Sequence, residues 1–110
     1  MKMPGSGKAV VALEKLRDYC LSPRHPRGRH KARVFANKLG LTSEDAEVLQ
    51  AAVLAAAHEN EAVIAELDNY GQRFVVEFKM DGPRGLASIR SSWIVRTGED
   101  FPRLTSCYVT

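Results

Sequence analysis

Nowhere in its 110 residues does the chain carry an apolar run long enough to span a bilayer, and the opening MKMPGSG lacks the apolar centre of a secretory leader. We therefore expect no membrane association and action in the cytoplasm. Only two cysteines occur, Cys20 and Cys107, near opposite ends of the chain. That is too sparse for a disulfide framework; it reads first as two reduced thiols, with a single disulfide as the alternative. There is no glycine-rich phosphate loop, no nucleophile elbow and no catalytic-cysteine signature. His25 and His30 stand five residues apart without an acidic or cysteine neighbour, a poor match to metal-ligand spacing, so no metal and no cofactor is expected.

The most informative deficits concern charge. From Ser22 to Gly40 there is no acidic residue, only Arg24, Arg27, Arg29, Lys31, Arg33 and Lys38 with His25 and His30. From Leu41 to Tyr70 there is no Lys or Arg, only Glu44, Asp45, Glu47, Glu59, Glu61, Glu66 and Asp68. The net charge is a modest +3, yet such blocks set up a field that steers an anionic ligand to one side. The plainer alternative is that the two blocks neutralise each other on the surface.

What is present describes one globular domain, 45% hydrophobic and 26% charged. Met1–Gly7, rich in Gly, Ser and Pro, reads as a flexible tail, and residues 8–110 as a single α+β domain. Ala9-Val10-Val11 suits a short edge strand. A helix is expected from Leu13, stopped at Ser22-Pro23 because the residue before proline avoids the α region. A second runs from Arg29 to Leu39, with Ala32, Phe35, Ala36 and Leu39 on one stripe and Gly40 ending it. Thr42 or Ser43 caps a third, which buries Ala46, Leu49, Val53 and Ala57. Glu59 to Asn69 fits either a short helix or a connector. Beyond Gly71 the period becomes two: Phe74, Val76, Phe78 and Met80 face one way and Arg73, Val75, Glu77 and Lys79 the other. After the turn at Asp81–Gly85, Ile89, Ser91, Trp93 and Val95 alternate with Arg90, Ser92, Ile94 and Arg96. A last strand spans about Arg103 to Val109. The layout is about three helices packed on a C-terminal antiparallel meander of three to four strands.

Matching the apolar faces of the two long strands sets Phe78 near Ile89, Phe74 near Trp93, Glu77 opposite Arg90 and Val75 opposite Ser92. Glu77 and Arg90 are then a plain cross-strand ion pair, or a general base beside a phosphate binder on an open face. His30 and Lys31 begin the basic helix, where backbone N–H groups favour an anion. They offer an acid or base and a phosphate contact, which Arg27 can share, or else a solvated basic face. Thr105, Ser106 and Tyr108 bring hydroxyls to the last strand, for a site or for an edge.

The strings KLRDYCLSPRHPRGRHKARVF, YGQRFVVEF and IRSSWIV…GEDFPRLTSCYV resemble, over nearly the whole chain, a bacterial domain-of-unknown-function family with HPxGxHKAxxF, YGxRxVVxF and RSxWIV motifs. The resemblance implies a standalone small protein in a toxin–antitoxin-like gene arrangement, with related domains at the C-termini of larger secreted or phage-type proteins. The family's layout is in turn similar to the barnase, colicin and RelE-like ribonucleases. That similarity implies a metal-independent ribonuclease site on the exposed sheet face. His30 and Lys31 would come from the helical side, Arg90 and Ser92 from the central strand and Thr105 or Tyr108 from the last, with Glu77 as base. Arg27, Arg29 and Arg33 would bind phosphate. RNA and a small antitoxin-like protein are the partners so implied. The competing readings are a non-catalytic module binding nucleic acid or protein through the same face, and a structural accessory domain.

Overall fold

The computed structural model describes every residue from Met1 to Thr110. The first helix, α1 (Leu13–Lys15), runs directly into a π-helical turn over Leu16–Cys20, closed by Leu21 N–H on Leu16 O at 2.8 Å. The next, α2 (Arg29–Val34), likewise continues as a π-helical turn over Phe35–Leu39. It ends where expected, at Gly40 with φ of 74°, a left-handed conformation that a side chain would strain. Thr42 and Asp45 then form a capping box, Thr42 N–H donating to the Asp45 carboxylate at 2.9 Å. A 3-10 turn at Ser43–Asp45 leads into α3 (Ala46–Glu59). As the periodicity predicts, α3 buries Ala46, Leu49, Val53 and Ala57.

Four strands follow: β1 (Val63–Asp68), β2 (Gly71–Gly82), β3 (Gly85–Arg96) and β4 (Pro102–Val109). They form an antiparallel meander in the order β1-β2-β3-β4, so the fold is α+β. The β2–β3 register is the expected one throughout, with Phe78 on Ile89, Glu77 on Arg90, Val75 on Ser92 and Phe74 on Trp93. The segment read as helix or connector is instead the edge strand β1. Its side chains are exposed on both faces, and a bulge between Ile64 and Leu67 interrupts its period. Nothing in its own pattern marks a strand; only pairing with β2 makes it one. At the opposite edge Val10 forms a single parallel bridge, its N–H on Pro102 O at 2.9 Å and its carbonyl taking Leu104 N–H at 3.0 Å. The segment Met1–Gly7, read as a tail, packs on the domain, with Met3 buried and the terminal amine paired to Glu61.

All helices cover one sheet face. Leu16, Phe35, Leu39, Leu49 and Val53 from the helical layer meet Phe74, Val76, Ile89, Trp93 and Leu104 from the sheet in a single apolar core. Cys20 and Cys107 are free thiols buried in it. The adjacent Cys20, and then burial, push the Cys107 thiol upward. Ser91 is a polar residue fully inside this core. Its hydroxyl donates to Val76 O at 2.7 Å and accepts the indole N–H of Trp93 at 2.9 Å. Ser91→Ala leaves the indole donor without a partner in a dry site, and should lower stability by about 1–3 kcal/mol in urea denaturation. An unchanged unfolding midpoint would show that Trp93 needs no such acceptor.

Candidate functional site

Side chains that miss the core share the opposite, uncovered face of the sheet. Arg73, Val75 and Glu77 of β2, Arg90 and Ser92 of β3, and Ser106 and Tyr108 of β4 lie there by register. The register slips between Ser92 and Trp93, so Ser92 pairs with Ser106 and Trp93 with Leu104, leaving Thr105 as the extra residue of β4. Thr105 secures the bulge by donating its hydroxyl to Ser92 O at 3.1 Å.

A groove of about 290 Å³ crosses this face, with Ser92, Thr105, Ser106 and Tyr108 on one side and Ala65 and Glu66 of β1 with Arg73 on the other. Lys31 enters it from α2, its ammonium 4.9 Å from the centre of the Tyr108 ring, a cation–π contact. The aim of Lys31 is set by the turn before it. His25 Nδ1 accepts the N–H groups of both Arg27 and Gly28 at 3.1 Å, while its ring meets Tyr19 edge-on at 4.6 Å between centres. Gly28 passes so close to the Tyr19 carbonyl that a Cβ would lie 2.2 Å from the oxygen. The HPRG string is therefore a packed turn that launches α2.

Glu77 and Arg90 form the expected pair, with Glu77 Oε1 accepting from Arg90 at 2.6 and 2.9 Å and both side chains about half exposed. They line a second depression of about 390 Å³ with Glu61 and Val63, adjoining the groove at Val75. The Arg90 guanidinium is raised above its ordinary value, by Glu77 first and then by Tyr108. Tyr108, opposite Arg90 in the ladder, stands beside two cations, Lys31 and Arg90. Ser106 Oγ is buried in the groove wall and has no hydrogen-bond partner. Arg73 is held at the groove by Asp68 at 2.9 Å.

Of the residues expected to act together, Lys31, Ser92, Thr105 and Tyr108 share the groove, and Glu77 with Arg90 adjoins it. His30 is exposed at the start of α2 and does not line the groove. Arg27 is exposed in the turn before the helix. Arg29 and Arg33 line a different pocket, because two residues along a helix is a rotation of about 200° from Lys31. Arg73 and the β1 wall went unread in the sequence: β1 showed no strand pattern, so nothing placed it beside Arg73. None of the six ion pairs involves a residue from 22 to 40. The basic and acidic blocks are thus not joined by ion pairs, although Lys31 and Glu66 line the same groove. No group of three or more His, Cys, Asp or Glu side chains gathers with metal-site geometry, and no helix is long and apolar enough to cross a membrane.

These features define an α+β domain with a polar, cation-walled groove on the bare face of a four-stranded meander. The chain belongs to the family described as Domain of unknown function (DUF6883), whose model matches residues 2–110. No curated protein matches it.

Two paired carboxylates, one of them holding the groove residue Arg73, carry a pH signature. Arg73, then the Tyr70 N–H, hold Asp68 below its ordinary 3.8, and Arg103 holds Glu99 below 4.5. Depressed carboxylates stabilise the fold fully above their unfolded values, and that contribution is lost as pH falls through the folded ones. The unfolding midpoint should therefore drop as pH is lowered below about 4, and Asp68→Asn should flatten that slope. A slope identical in Asp68→Asn would remove Asp68 from this account.

Proposed function

We propose that the domain is a metal-independent ribonuclease of the toxin type, acting in the cytoplasm on RNA laid across the groove. The observation that carries this reading is the placement of Tyr108 beside Lys31 and opposite Arg90 on an open sheet face, with Lys31 in no ion pair. The two cations hold the scissile phosphodiester and offset the charge of the phosphorane. Glu77, freed from Arg90 as the phosphate takes the guanidinium, accepts the proton of the RNA 2′-hydroxyl. The 2′-oxygen bonds to phosphorus, the bond from phosphorus to the 5′-oxygen breaks, and Tyr108 gives its phenolic proton to the leaving oxygen. The products are a 2′,3′-cyclic phosphate and a 5′-hydroxyl. Ser92, which lines the groove, supplies a hydroxyl to the phosphate or sugar. A small antitoxin-like protein that masks the groove belongs to the same reading.

A second reading is a non-catalytic module that binds nucleic acid on the same face. Two observations favour it: His30 lies outside the groove, and Glu77 is already engaged by Arg90.

Purified protein incubated with total RNA in the presence of a chelator separates the two. Cleavage leaving cyclic phosphate ends, reduced at least about 100-fold in Lys31→Ala, Arg90→Ala and Glu77→Gln with folding retained, is the expected result. Intact RNA that nonetheless binds, with affinity lost in Lys31→Ala alone, would establish the binding module instead.

A further inference from the structure

On the flank of α2 away from the groove, a pocket of about 280 Å³ opens between that helix, the turn at Leu21 and Pro23, and residues 41–43 ahead of α3. Its floor is aliphatic, made by Leu21, Ala32, Ala36 and Leu41. Its rim carries Arg29 and Arg33, one helical turn apart and both exposed, and neither enters an ion pair. No carboxylate lines it. The nearest acidic residues in sequence are accounted for elsewhere: Asp45 is engaged by Thr42 in the capping box, and Glu44 is exposed and does not line the pocket.

We propose that this pocket docks an acidic segment of a partner protein, an aliphatic side chain entering the floor while flanking carboxylates pair with Arg29 and Arg33. The chemistry on both counts selects that occupant. Two guanidiniums at one rim, uncompensated within the chain, match two carboxylates on neighbouring turns or alternate residues of a peptide. The aliphatic floor matches Leu, Ile or Met. An RNA strand would satisfy the arginines through its phosphates but leave the floor unused, since no aromatic ring lines the pocket to stack a base. The site is independent of the ribonuclease reading: it lies on the other flank of α2 from Lys31, and its test does not measure RNA cleavage.

The test is selection of a displayed random-peptide library on the full chain, followed by affinity measurement with synthetic versions of the enriched peptides. The expected result is a motif with Asp or Glu flanking an aliphatic residue. Its affinity should fall at least about tenfold in Arg29→Ala with Arg33→Ala, and also in Ala36→Leu, which fills the floor. Lys38→Ala, a charge loss on the same helix outside the pocket, should change it by less than about twofold. Circular dichroism confirms that each variant is folded. No enrichment, a motif without acidic residues, or equal loss in Lys38→Ala would overturn the proposal. So would peptides indifferent to the arginine pair while a short single-stranded RNA loses its binding there, which would reassign the pocket to nucleic acid.

Discussion

The unbroken ladder between β2 and β3 is the constraint on which the rest of the molecule depends. Twelve residue pairs, from Gly71 with Arg96 to Gly82 with Gly85, lie in one register. Because strand side chains alternate with period two, that register decides two things together. It sends Phe74, Val76, Ile89 and Trp93 under the helices, and it sets Arg73, Val75, Glu77, Arg90 and Ser92 on the bare face. A slip of β3 by one residue would turn Arg90 under the helices, expose Trp93 and leave Glu77 without its partner. The Ser91 hydroxyl, tied to Val76 O and the Trp93 indole, couples the two strands inside the core.

The helical layer does more than cover the core. Its second helix divides the basic block between two tasks, with Lys31 turned to the groove and Arg29 and Arg33 to the opposite flank. That division follows from the helical rotation per residue, and its starting angle is set by the His25–Gly28 turn against Tyr19. An electrostatic field that looks uniform in one dimension is thereby presented on two surfaces, each able to meet a different anion.

Much of this architecture was legible in the residues. The helix from Arg29 to Leu39, its end at Gly40, the buried stripe of the third helix and the β2–β3 register all follow from periodicities that local backbone geometry imposes. The Glu77–Arg90 pair was legible for the same reason, since register is enough to place it. Strand β1 was not, because an edge strand exposed on both faces and broken by a bulge has no alternation to read. Thr105, equally, sits at a bulge that shifts it relative to Ser92, a local insertion that no pattern of side chains reveals.

Local order, then, was written in the chain: which segments coil, which extend, and which faces are apolar, because each depends on neighbours within a few residues. Whether the acidic and basic blocks pair was a question of distance between remote segments, and the fold answers that no ion pair joins them. The meeting of Lys31 with Tyr108, the exclusion of His30 from the groove and the orphaned Ser106 hydroxyl are likewise decided in three dimensions. They depend on how a helix is set against the edge of a sheet, a relation carried by long-range packing rather than by local spacing.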